Sequence, residues 1–184
     1  MKLRIAVLAL ITGLLGAIGL AAPVAQAHAP YGGIWWGSLA KAADSTDVAL
    51  LTNVRAGRHA CFDRLVLDYT GDADGYQVRY VSAIRGVMLD RPVDLRGGAL
   101  LEIVVQTPYG PDSPSFWSGY SPRNPRELVN VTGWRTFQQV SLAEVHESQV
   151  TLGLGVRARL PFRVFTLDGP GTGSRIVIDV AHRW

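Results

Sequence analysis

Arg64-Leu65-Val66-Leu67-Asp68 and Arg175-Ile176-Val177-Ile178-Asp179 carry one pattern at two distant points of the chain. Each reads arginine, apolar, valine, apolar, aspartate. That alternation has the period of a β-strand, on which successive side chains point to opposite faces. Leu65 and Leu67 share one face, as do Ile176 and Ile178, and both pairs suit a core. The Arg, Val and Asp of each segment lie on the other face. Arg and Asp stand four residues apart within a segment, about 13 Å along a strand, so they cannot pair with each other. They need partners on neighbouring strands, or water.

Other stretches read the same way. Val48 to Val54 reads as a first strand, and Phe62 to Tyr69 as a second, ended by the turn Gly71-Asp72-Ala73-Asp74-Gly75. Tyr76 to Val81 answers it as a hairpin. Val87 to Leu95 is a weaker strand interrupted at Pro92, and Gly97-Gly98 turns into Ala99 to Val105. Phe137 to Val145, Gln149 to Arg157, Phe162 to Leu167 and Arg175 to Val180 follow. Ser141-Leu142-Ala143-Glu144 would fit a helix capping box, but its β-rich surroundings favour strand. Each echoing segment neighbours a second β-like run across a six-residue turn. One is Tyr76-Gln77-Val78 and the other Phe162-Arg163-Val164, which suggests a pseudo-repeat of hairpins. Short strands with Gly/Pro turns and no long amphipathic helix argue for an all-β sandwich or barrel.

Lys2 and Arg4 precede an almost wholly apolar run, Ile5 to Ala22; Pro23 and then Ala25-Gln26-Ala27 follow. This is the pattern of a secretory signal with an A-x-A cleavage site. The run is also about long enough for an uncleaved anchor. Thr12, Gly13, Gly16 and Gly19 interrupt it, and with the cleavage pattern they favour removal. The expected layout is residues 1–27 as a cleaved signal peptide, 28–47 as an extended aromatic lead-in and 48–184 as the β domain. The protein is expected to be secreted to the extracytoplasmic cell envelope, with no stable membrane insertion after signal cleavage. Without Lys2 and Arg4, the 18 basic residues fall to 16 against 15 acidic ones, a net of +1. So balanced a domain offers little to a phosphate backbone, which argues against nucleic acid as a partner. Cys61 is the only cysteine, so no internal disulfide can form and stability must come from a packed core.

Several segments together resemble the AMIN-like domain of secreted actinobacterial proteins, a relative of the AMIN domain of cell-wall amidases and secretins. They are Trp36-Gly37-Ser38, Val54-Arg55-Ala56-Gly57-Arg58-His59, Phe62 to Asp68, Tyr76 to Val81, Pro161 to Phe165, Leu167, Gly169-Pro170 and Arg175 to His182. The resemblance covers nearly all of the chain beyond the signal. It implies a small β-sandwich of antiparallel strands without catalytic machinery. It also implies a role in contacting peptidoglycan. With the hairpin pseudo-repeat and one long Pro-rich loop, that is the expected fold.

Thr107 to Leu128 holds five of the ten prolines and cannot be central sheet, because proline lacks the ladder donor. Tyr109, Phe116, Trp117 and Tyr120 sit among these prolines, followed by Arg123, Arg126, Trp134 and Arg135. Aromatic rings stack on sugars and guanidinium forks pair with carboxylates, so these eight are the candidate ligand-binding residues. The competing reading is that they fold the loop down to cover a sheet edge. Cys61 with His59 would share a face at i and i+2 on a strand, but no acid can be placed to orient the histidine. His28, His59, His146 and His182 are scattered, so no metal site or other cofactor is expected. Asp68 and Asp179 are the best-matched carboxylate pair for a small hydrolase, yet strand-ending charges explain them as well. The leading expectation is a non-catalytic module binding a cell-wall polymer; an adaptor docking an envelope protein is the alternative.

Overall fold

The computed structural model describes residues 31–44, 46–47, 49–86, 88, 91–107 and 119–184. Residues 1–30 and the stretch 108–118 lie outside them. Among the described residues, eleven strands form in chain order. They are Lys41–Ala43 (β1), Leu51–Arg58 (β2), Phe62–Tyr69 (β3), Tyr76–Val81 (β4), Ile84–Arg85 (β5) and Pro92–Val93 (β6). Ala99–Gln106 (β7), Phe137–His146 (β8), Gln149–Val156 (β9), Phe162–Asp168 (β10) and Ser174–Ala181 (β11) complete the set. Ser141 to Glu144 lies inside β8, as strand. The order β1-β4-β7-β9-β8 makes a five-stranded sheet, β10-β11-β3-β2 a four-stranded one, and β5 with β6 a small ribbon. Every pairing is antiparallel.

The two large sheets bury one face each against the other. Leu65, Leu67, Phe162, Ile176 and Ile178 from one meet Val78, Leu101, Ile103, Phe137, Leu152 and Leu154 from the other in a single cluster. Each such side chain contributes about 1.5–3 kcal/mol by leaving water. This is the all-β sandwich expected from the alternation.

The pairing differs from the expected hairpins in one place. β10 and β11 form a hairpin, but β3 and β4 do not: β3 lies between β2 and β11, and β4 lies in the other sheet between β1 and β7. With both its edges taken, β3 has no free edge for β4. The chain turns the corner instead, pinned where the Ala73 N–H donates to Ser174 Oγ at 2.8 Å and Ser174 Oγ–H donates to the Gly71 carbonyl at 2.6 Å. The echoing segments are direct neighbours: Arg64 faces Asp179, Val66 faces Val177 and Asp68 faces Arg175. Of the weaker strand expected over Val87 to Leu95, only Pro92–Val93 is strand among the described residues.

The lead-in is tied down. Its residues 41–43 are β1, paired with β4. The Phe162 N–H donates to the Gly37 carbonyl at 2.8 Å, and the Trp36 ring packs edge-on to Phe62 at 5.5 Å.

Both faces of β9 are buried. Its outer face carries Gly153 and Gly155 because the segment 95–98 crosses there. A Cβ at Gly155 would lie 1.8 Å from the Arg96 carbonyl oxygen. The two glycines let that segment sit directly on the sheet and bring Arg96 to β8.

Candidate functional site

The described half of the Pro-rich stretch lies along β8, the outer strand of the five-stranded sheet. The Leu142 N–H donates to the Pro125 carbonyl at 2.7 Å and the Leu128 N–H to the Val140 carbonyl at 2.9 Å. Gln139 Nε2 donates to the Arg126 carbonyl at 2.9 Å. An open edge strand invites pairing with other chains, and this strap occupies its free groups.

A groove of about 510 Å³ opens beside the strap, lined by Arg96, Glu127, Asn130, Val131, Thr132, Gly133 and Gln138. Each lining residue is held by local chemistry. The Arg96 N–H donates to Gln139 Oε1 at 2.8 Å. Its guanidinium donates to both Glu127 oxygens, at 2.6 and 3.1 Å, and to the Gln138 carbonyl at 3.1 Å. The hydrogen bond that it donates to the Glu127 carboxylate raises the Arg96 pKa above its ordinary value. Asn130 Oδ1 accepts the Thr132 N–H at 3.1 Å, and the Trp134 N–H donates to the Val131 carbonyl at 3.1 Å. That turn needs the left-handed φ of 74° at Gly133, which glycine adopts freely. Val131 points into the core and fixes the groove floor.

The far end of the loop is fixed by Asp63. This buried carboxylate accepts the N–H groups of Thr136 and Phe137 at 2.8 and 3.0 Å through Oδ2. Beside it, buried His182 donates from Nε2 to the His59 carbonyl at 3.0 Å. Its Nδ1 lies 2.9 Å from Thr136 Oγ1.

The eight candidate residues divide. Tyr109, Phe116 and Trp117 lie outside the described residues. Tyr120 is half-buried against the core, and burial raises its phenol pKa. Trp134 also packs on the core, stacked on Phe137 at 6.1 Å with the Arg58 guanidinium 5.8 Å from its ring. Arg123, Arg126 and Arg135 are exposed, and Arg126 and Trp134 adjoin the groove residues in the chain. The edge-covering role thus accounts for Tyr120 and Trp134 as packing groups. Arg96, Glu127, Asn130 and Gln138 are not among the eight residues expected from the sequence. The visible signals were the turn-forming Asn130 and Gly133 and the Gly97-Gly98 after Arg96.

Two sequence-based pairings meet a different geometry. His59 and Cys61 sit in the turn between β2 and β3, not on a strand, and His59 stacks on Phe62 at 4.4 Å. Asp68 and Asp179 lie at opposite ends of the β3–β11 register. That separates them by roughly 13 Å or more, beyond the ~5–10 Å of a hydrolytic carboxylate pair.

Fold and groove define a small antiparallel β-sandwich with a polar cleft beside a strapped edge strand. The family model of the AMIN-like domain matches residues 49–182, and the chain belongs to that family. No curated protein matches it.

Proposed function

We propose that this protein is an exported, non-catalytic binding module of the cell envelope that contacts peptidoglycan or another wall polymer through the groove beside β8. The organisation behind this reading is residues 1–27 as a cleaved signal, 28–47 as the lead-in and 48–184 as the binding domain. One observation carries the reading most. The groove presents amides from Asn130 and Gln138, a hydroxyl from Thr132 and a guanidinium already neutralised by Glu127. Such a surface offers hydrogen bonds rather than net charge, which suits the hydroxyls and amides of glycan and peptide stems. Arg126 and Arg135 are exposed, stand close to the groove residues in the chain and can meet stem carboxylates. Among the described residues no helix is long and apolar enough to cross a membrane.

The test is co-sedimentation of the protein with purified sacculi over a range of salt. Binding should persist at high salt, because exposed charge attraction would be screened within about 10 Å at ~0.1 M. Asn130→Ala with Gln138→Ala should weaken it about tenfold, the loss of roughly 1.4 kcal/mol, while the protein stays folded and loses only about 1 kcal/mol of stability with the Asn130–Thr132 turn bond. Equal sedimentation of variant and wild type would remove the groove from the site. Absence of sedimentation by the wild type would favour an envelope protein as partner instead.

A further inference from the structure

The outward face of the four-stranded sheet is a separate surface from the groove. Arg64 donates from Nε to Asp179 Oδ1 at 2.6 Å and from Nη2 to Oδ2 at 2.9 Å. Arg163 reaches the same Oδ2 from Nε and Nη2, both at 2.9 Å. One carboxylate therefore faces two guanidinium groups and leaves a surplus positive charge. Among the described residues, no acceptor takes Nη1 of either arginine. Aromatic rings interleave with the cations. The Arg163 guanidinium lies 4.5 Å from the Trp36 ring and 4.9 Å from Phe165, and that of Arg64 lies 5.3 Å from Phe62 and 5.5 Å from Phe165. Trp35 stands 82% exposed beside Trp36 in the chain. Further along the same face Arg55 grips Asp68 at 2.8 and 3.0 Å, with Arg175 opposite Asp68 in the register. Among the described strand residues of this face, Arg55, Arg64, Arg163 and Arg175 thus stand against Asp68 and Asp179.

We propose that this face binds a carboxylated glycan lying across both arginine clamps, its carboxylates on the free arginine donors and its sugar rings against the rims of Trp36 and Phe165. The surplus charge is complementary to an acidic polymer. The arginine forks already hold carboxylates two bonds at a time, the geometry for which guanidinium is suited. The rings supply apolar faces that a sugar can use and a flexible phosphodiester chain cannot.

The probe is immobilised polygalacturonate, with dextran as the neutral comparison and poly(glycerol phosphate) as the phosphodiester one. The purified protein should bind polygalacturonate in preference to both. Arg163→Gln should weaken that binding about tenfold and Arg55→Gln about threefold, whereas Asn130→Ala with Gln138→Ala should leave it unchanged. The last variant keeps this proposal distinguishable from the groove reading. Arg55 is half exposed, so its variant tests the surface even if replacing Arg163 frees Trp36 and unfolds the protein. Preference for poly(glycerol phosphate) or dextran would overturn the proposal. So would wild-type affinity in a folded Arg163→Gln protein, or in Arg55→Gln.

Discussion

Asp179→Asn is the most informative single change to the fold. The side chain of Asp179 is fully buried and takes hydrogen bonds from Arg64 and Arg163. Asparagine keeps the shape and one acceptor oxygen but removes the charge, so two guanidinium groups lose their counter-ion. Removing one partner of a buried pair costs about 3–5 kcal/mol. The arginine side chains here remain 24% and 41% exposed, so water can recover part of that. An effect of about 2–3 kcal/mol is expected. At ~2–4 °C per kcal/mol for a domain of this size, the melting temperature should fall by roughly 5–10 °C. Asp68→Asn is the matched control, because Asp68 occupies the equivalent place in the other echoing segment. Its clamp is more open, with Arg55 and Asp68 side chains 50% and 22% exposed, and the change should cost under about 1 kcal/mol. Thermal melts by circular dichroism, with urea unfolding to check that the slope is unchanged, read both variants. Equal shifts for the two, or an Asp179→Asn protein that melts with the wild type, would refute the claim that burial separates the two clamps.

Gly155→Ala should destabilise the domain by more than about 3 kcal/mol and disturb the groove, because its Cβ would meet the Arg96 backbone. Gly153→Ala should cost less, since its nearest contact at 3.0 Å is the Leu95 side chain, and similar melting temperatures would argue against the close crossing. Burial raises the phenol pKa values of Tyr69, Tyr76, Tyr80 and Tyr120. Their folded values lie above the unfolded value near 10, so the unfolded chain sheds protons first. Stability is then full below about pH 10 and falls as pH rises through the folded values. Ultraviolet titration of phenolate in the folded protein should show these four ionising above about pH 10, with Tyr69 last; their ionisation at the unfolded value would contradict this. Among the described residues the buried Tyr69 hydroxyl has no hydrogen-bond partner, so Tyr69→Phe should be neutral or stabilising by up to about 1 kcal/mol in the same melts.

The alternation in Phe62 to Tyr69 and Ser174 to Ala181 was enough to identify strands and to name Leu65, Leu67, Ile176 and Ile178 as core. It also showed that Arg64 and Asp68 must look elsewhere for partners. Those conclusions need only the two-residue period of a strand and the drive to bury apolar side chains, both of which act locally. The five prolines of Thr107 to Leu128 likewise excluded that stretch from the sheet interior. Which strand lies beside which is not a local property. β3 pairs with β11 and passes β4 to the opposite sheet because both its edges are already filled, and edge occupancy belongs to the whole assembly. The same holds for the groove. Arg96 meets Glu127 and Gln138 only because Gly155 lets a distant segment rest on β9, a close approach that no periodicity announces. The chain alone therefore determined the strands and their buried faces. Tertiary packing decided that Asp179 is sealed between two arginines while Asp68 stays near water, since only the finished sandwich sets how much solvent reaches each.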